Sequence, residues 1–116
     1  MKINQYKLPK IVVVIPTFNR INNLEKIIRQ LKHQKGSNFQ LYIVIVVDGS
    51  TDGTNLMLRS KFPKVIVVKG NGQWWFTKSL NEGFKFADTL TPDFVLVLND
   101  DTEIDNNYIA NLLVEY

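Results

Sequence analysis

Four short apolar runs punctuate the chain: Ile11–Ile15, Leu41–Val47, Val65–Val68 and Phe94–Leu98. All are rich in valine and isoleucine, and none alternates cleanly with polar residues. That pattern suits strands buried on both faces, as in a parallel sheet. Helical patterns lie between and after them. Ile21, Leu24, Ile27, Ile28 and Leu31 share one helical face, with Glu25, Lys26, Arg29 and Lys32 on the other. Asn22 or Asn23 is the expected cap, and Gly36 follows the end. Thr54–Phe62 predicts a shorter helix with Leu56, Met57 and Phe62 as its apolar side. Phe76–Ala87 predicts a third, carrying Leu80, Phe84 and Ala87 and interrupted by Gly83. Asp105 reads as the N-cap of a last helix with Tyr108, Ile109, Leu112 and Leu113 on one stripe. Phe62, Phe76, Phe84 and Phe94 are assigned to the core.

The resulting order, β-α-β-α-β-α-β-α, predicts an α/β class fold: a Rossmann-like three-layer α/β/α arrangement with a mainly parallel sheet and right-handed crossovers. Residues 1–10 read as an N-terminal tail or edge extension, and 11–116 as one domain. The chain has 116 residues and a net charge of +3, with lysines and arginines scattered rather than blocked, so a nucleic-acid partner is not expected. A mild positive field would still favour a phosphorylated ligand. With no cysteine, disulfides, thiolate metal sites and a cysteine nucleophile are excluded. A run of about 18 apolar residues, which a membrane span needs, is absent, as is a signal-peptide apolar region near Met1. The expected location is cytoplasmic, with any membrane contact peripheral and at the inner face.

In open α/β sheets ligands bind beyond the carboxyl ends of the strands. Polar, acidic and glycine residues gather there after all four runs: Pro16-Thr17-Phe18-Asn19-Arg20, Asp48-Gly49-Ser50-Thr51-Asp52-Gly53, Gly70-Asn71-Gly72 and Asn99-Asp100-Asp101. Adjacent carboxylates at Asp100 and Asp101 repel one another. A divalent cation, Mg2+ or Mn2+, would offset that and could share substrate phosphates; a turn with a helix cap is the plainer reading. Asp48 could accept hydrogen bonds from a ribose or a base, whereas Asp52 reads better as a cap. Arg20 could meet a phosphate. The Gly70-Asn71-Gly72 stretch fails the dinucleotide fingerprint because its third glycine would fall at Trp75. Trp74 and Trp75 cannot both face inward; one suits the core, the other a stacking role. His33, the lone histidine, sits late in the first helix and is not expected to act in catalysis.

Taken in order, Ile11–Arg20, Val46–Thr54, Asn81-Glu82-Gly83 and Leu98–Asp101 resemble the inverting family-2 glycosyltransferases, in particular the bacterial branch that builds surface polysaccharides and includes rhamnosyltransferase-like members. The resemblance implies a GT-A-like nucleotide-diphospho-sugar transferase fold. It also implies transfer of a sugar from a UDP-, dTDP- or GDP-sugar to a hydroxyl of a saccharide or lipid-linked acceptor. By position it implies that Pro16, Thr17 and Asn19 border the nucleotide, that Asp48 holds the base, and that Asn81 and Gly83 belong to the helix beneath the diphosphate. Asp100 then contacts ribose or sugar, and Asp101 binds the metal as the end of a DXD motif. Three positions depart from the family pattern: Val47 replaces an acidic residue, Leu80 an arginine and Asn99 the first aspartate. In the resembling enzymes the acceptor site and catalytic base come later than Tyr116, so the catalytic residue is left unassigned. The last helix could pair with a second copy as a homodimer. Other readings weighed are a nucleotidyltransferase, which needs a glycine-rich basic loop where this chain has Pro-Thr-Phe-Asn-Arg; a phosphoacceptor domain, which needs acidic residues after the first strand; and a non-catalytic nucleotide-sugar-binding module.

Overall fold

The computed structural model describes residues 7–114. Residues 1–6 of the expected tail, and Glu115 and Tyr116, lie outside the described residues. Four strands and four helices alternate: β1 (Lys10–Thr17), α1 (Ile21–Lys32), β2 (Gln40–Asp48), α2 (Thr54–Lys61), β3 (Ile66–Gly70), α3 (Trp75–Thr89), β4 (Phe94–Val97) and α4 (Tyr108–Val114). The strands form one sheet in the order β3-β2-β1-β4, and every pair is parallel. The chain therefore winds outward from β1 to β3, then returns through α3 to place β4 on the other side of β1. The order reverses between β1 and β4, and that is where an open α/β sheet leaves a crevice.

Period-two alternation divides the central strands between two cores. Ile11, Val13 and Ile15 of β1 and Ile43, Ile45 and Val47 of β2 face one side, packing with Leu24, Ile27, Ile28 and Leu31 of α1, Met57 and Leu58 of α2, and Ile109 of α4. Val12, Val14, Val44 and Val46 face the other, against α3. Both faces are covered, which explains why these runs are continuous in the sequence. The cover on the α3 side is close: a Cβ at Gly83 would lie 2.5 Å from Val14 Cγ1 and 3.0 Å from Val46 Cγ2. Gly83 is there to let the helix reach the sheet.

Several expectations change. Leu56 is exposed and Leu58 takes the buried place, because α2 turns a narrower face inward than its three apolar residues suggested. Phe76 and Phe84 are exposed rather than core, while Phe62 is buried and Phe94 packs at the edge of the core. Neither Asn22 nor Asn23 caps α1; its first N–H is taken by Asp52 from the next loop, 3.0 Å away. The Asp105 side chain accepts the N–H of Asn107, one residue before α4 begins, and the Ile109 N–H within α4 goes instead to Gln34 Oε1 of the segment after α1. Among the described residues no helix is long and apolar enough to cross a membrane.

Candidate functional site

The loops leaving β1 and β2 are tied together by side-chain to backbone bonds. Asn19, in a left-handed conformation at φ 51°, donates its N–H to Ser50 Oγ and accepts the Thr51 N–H through Oδ1. Asp52 takes the Ile21 N–H with one oxygen and the Thr54 N–H and hydroxyl with the other. One carboxylate thus satisfies orphan donors at the starts of both α1 and α2. Burial pulls its pKa upward, but the bonds from Thr54 and Ile21 outweigh this and hold it below its ordinary value.

Asp48 closes the end of β2 and is only 6% exposed. Its carboxylate accepts three backbone N–H groups from the β3–α3 loop: Gly72 at 2.7 Å through Oδ1, Trp74 and Trp75 at 2.9 Å each through Oδ2. The loop can come this near because Gly49 and Gly72 let two backbones touch; a Cβ on Gly49 would lie 2.6 Å from Gly72 Cα. Both tryptophans are thereby fixed. Trp74 packs against the α3-side core, with Lys78 Nζ 5.5 Å from its ring centroid. Trp75 is held at φ 57° with 77% of its surface exposed. Left-handed geometry costs a bulky residue roughly 1–2 kcal/mol, so three hydrogen bonds to one buried carboxylate are what sustain it.

Across the sheet, beyond β4, Asp100 is buried at 8% exposure and accepts the Thr17 hydroxyl at 2.9 Å. Burial is the main influence on it and pushes its pKa up; the Thr17 bond and Arg20 oppose this, and Asp101 adds repulsion. Arg20 Nη1 stands 3.9 Å from Asp100 Oδ1 and 3.7 Å from Asp101 Oδ2. The repulsion between the adjacent carboxylates is thus offset within the chain by an arginine and a hydroxyl.

These groups line one cavity of about 490 Å³ at the carboxyl ends of the strands. Of the residues singled out from the sequence, Pro16, Thr17, Asp48, Asp100 and Asp101 converge on it. Asn19, Asn81 and Gly83 do not line it: Asn19 braces the neighbouring loop, Asn81 faces a separate groove beside β4 with Lys78 and Glu82, and Gly83 is packed under the sheet. The cavity also takes in Phe18, Arg20, Trp75, Phe76 and Ser79. Phe76, an apolar aromatic expected in the core, lines the cavity instead, and Ser79 carries no signal in the sequence. His33 lies far from this chemistry, its Nδ1 2.6 Å from the Arg29 carbonyl.

Could the cavity hold a divalent cation? No group of three His, Cys, Asp or Glu capable of caging a metal occurs among the described residues. Asp101, with its side chain 57% exposed beside Asp100 and Asn99, offers hard oxygen donors on one side only. Such a donor set fits a Mg2+- or Mn2+-class ion that shares its remaining positions with substrate phosphates and water. It does not fit a cation held by protein alone.

Comparison with known proteins agrees with this geometry. The family model described as glycosyl transferase family 2 matches residues 12–116. An uncharacterized glycosyltransferase of Mycoplasma genitalium is 28% identical over 71 residues, covering 56% of this chain and 24% of that protein. Among solved structures, the mannosyltransferase PcManGT from Pyrobaculum calidifontis, in complex with GDP-Man and Mn2+, superposes with a TM-score of 0.78 at 23% identity over 93% of this chain and 32% of that one. S. aureus TarS 1-349 in complex with UDP-GlcNAc gives a TM-score of 0.78 at 23% identity, covering 90% of this chain and 30% of that chain. At that identity the structural likeness establishes the fold. The chain spans about a third of the length of these structural relatives.

Proposed function

The chain belongs to glycosyl transferase family 2, and on that premise we propose that its cavity binds the nucleoside diphosphate of a sugar donor, for transfer of the sugar to an acceptor hydroxyl. The observation that carries this reading is the arrangement of one cavity with two unlike ends. Asp48, hydrogen-bonded to the Trp75 N–H, stands at the end of β2, and Asp100, Asp101 and Arg20 cluster beyond β4. Strand β1 separates β2 from β4, so the ends are about 10 Å apart, two interstrand spacings. A flat base fits the first end and a charged diphosphate the second. Structural neighbours solved with GDP-Man and Mn2+, and with UDP-GlcNAc, support the same class of ligand.

In this reading Pro16 and Thr17 form the floor beneath the nucleoside, and the Thr17 hydroxyl orients Asp100 toward the ribose or sugar. Arg20 is placed to exchange its carboxylate partners for phosphate oxygens, since its pairs are long and its side chain half-exposed. Asp101 is the ligand for a divalent cation, which when bound would neutralise charge building on the departing diphosphate. Asn19 supports the nucleotide indirectly by fixing the β1–α1 loop, and Gly83 by letting α3 approach the sheet. Transfer would be a single displacement in which a carboxylate base deprotonates the acceptor hydroxyl as it attacks the anomeric carbon. Acceptor choice and that base are assigned to the whole protein rather than to these residues. Polysaccharide or glycoconjugate synthesis is the setting proposed, with peripheral contact at the inner face of a membrane. Leu112 and Val114 leave apolar surface on α4; if a homodimer forms there, Leu112→Lys should lower the sedimentation coefficient.

Calorimetric titration with UDP, dTDP and GDP, each with and without Mn2+, tests the reading. One of the three should bind, more tightly with Mn2+, and Asp101→Ala should abolish the metal-dependent part. Binding indifferent both to Mn2+ and to Asp101→Ala would remove the ligand role from Asp101. The alternative, a module that binds donor without turnover, predicts the same isotherms with no sugar transfer by the whole protein.

A further inference from the structure

We propose that the basic hollow at the ends of α1 and α2 is a docking surface for an anionic lipid bilayer. The inference deepens the peripheral membrane contact proposed above, on which it rests, by naming the surface that makes it; the donor cavity has no part in it. The hollow encloses about 400 Å³ and is lined by Arg29, Lys32, His33, Lys61 and Lys64 around Phe62, with no carboxylate among the described residues that line it. Phe62 is buried, and the Arg29 guanidinium stands 5.4 Å from its ring centroid. Glu25 takes up two of the cations, Arg29 Nη2 at 2.7 Å and Lys61 Nζ at 3.1 Å. Lys32 and Lys64 are exposed, and among the described residues no carboxylate pairs with either.

Cations in the last turn of a helix are commonplace, because they meet the negative end of its dipole. Here two such ends lie side by side, and the turn before β3 adds Lys64. Charge also separates along the strand axis. All strands run parallel, so the helices that follow them end at the amino edge of the sheet, opposite the cavity. Asp48, Asp52, Asp100 and Asp101 stand at the carboxyl edge, following β2 and β4. Elsewhere on the surface Lys26 and Lys85 are matched by Glu103 and Glu82. An anionic plane is therefore met by the amino edge. The donor cavity then opens to water about 30 Å away, the length of the nine residues of β2. Nucleic acid is a poorer match, because the aromatic ring in the hollow is buried and offers no face for a base to stack on.

Vesicle sedimentation tests the proposal. The wild-type chain should pellet with phosphatidylglycerol vesicles and not with phosphatidylcholine vesicles, and added salt should release it. A lysine near an anionic surface contributes about fivefold in affinity, so Lys32→Gln combined with Lys64→Gln should weaken binding about 30-fold. Lys26→Gln combined with Lys85→Gln removes the same charge elsewhere and should stay within about twofold of wild type. All four side chains are exposed, so both double variants should melt close to wild type. The Lys32 and Lys64 variant should also keep wild-type affinity for whichever of UDP, dTDP or GDP binds. Unchanged vesicle binding in that variant, or an equal loss in the control pair, would overturn the assignment of this surface and leave membrane contact standing. Equal pelleting with phosphatidylcholine would overturn the electrostatic basis. Polyuridylate held more tightly than the vesicles, with the same loss in the Lys32 and Lys64 variant, would reassign the hollow to nucleic acid. If the wild-type chain ignores phosphatidylglycerol, the surface and the membrane contact fall together, while nucleotide titration of the same sample judges the donor reading separately.

Discussion

Replacing Asp48 with alanine removes one carboxylate and leaves three backbone N–H groups, those of Gly72, Trp74 and Trp75, without their acceptor. Hydrogen bonds to a charged group contribute about 1.5–3 kcal/mol each, but the loop can relax and re-expose some of these amides to water, so the terms do not add fully. Release of the left-handed Trp75 returns roughly 1–2 kcal/mol. The net expectation is a loss of about 3 kcal/mol, a large part of the roughly 5–15 kcal/mol that a domain possesses. With a urea m-value of about 2 kcal/mol/M, the unfolding midpoint should fall by about 1.5 M. Asp48→Asn keeps the shape but turns one acceptor into a donor facing N–H groups, and should cost about 2 kcal/mol. Urea unfolding followed by tryptophan emission reads both variants. Amide hydrogen exchange locates the effect, which should be concentrated at Gly72, Trp74 and Trp75. A midpoint for Asp48→Ala within about 0.3 M of wild type, or unchanged exchange at those amides, would refute the anchoring role.

Other consequences follow from the same contacts. Gly83→Ala drives a methyl into Val14 and Val46; overpacking of about 1–3 kcal/mol exceeds the up to 1 kcal/mol gained in helix propensity, so calorimetry should show melting lowered by roughly 4–8 °C with nucleotide affinity of the folded chain retained. Asp52 has a lowered pKa, so its contribution to stability is complete above the unfolded value near 3.8 and is lost as the pH falls through the folded value. Urea midpoints of Asp52→Asn should therefore lie below wild type at neutral pH and approach it in acid; parallel pH profiles would contradict this. Asp100 has a raised pKa, chiefly from burial, so its charge opposes folding at neutral pH. Asp100→Asn should leave the midpoint at pH 7 equal or higher while weakening nucleotide binding, and a clear loss of stability would count against that account.

The layer architecture was legible because burial on both faces leaves continuous β-branched runs, and all four runs became strands. The clustering of acidic and glycine residues at the strand ends also survived, since topology alone brings the ends of β1, β2 and β4 together. Periodicity failed at Phe84 and Leu56, where an apolar residue at a plausible spacing is exposed. It could not foresee Asp52 reaching back to α1, because a cap supplied from another loop has no local signature. Nor did it reveal how Asp48 is used. An aspartate at a strand end carries no sign of which backbone groups it meets, and here its carboxylate accepts three amides from 24 to 27 residues further along the chain. Arg20, by contrast, stood in the sequence as a phosphate partner, and its place beside Asp100 and Asp101 became visible only in three dimensions.

The most direct measurement is a crystal structure of the chain with its preferred nucleoside diphosphate and Mn2+, with data collected at the manganese edge. An anomalous peak within coordination distance of Asp101 and beside the diphosphate, with the base at the Asp48 end of the same cavity, is the predicted result. A nucleotide bound anywhere else, or one whose diphosphate lies at the Asp48 end, would contradict the account.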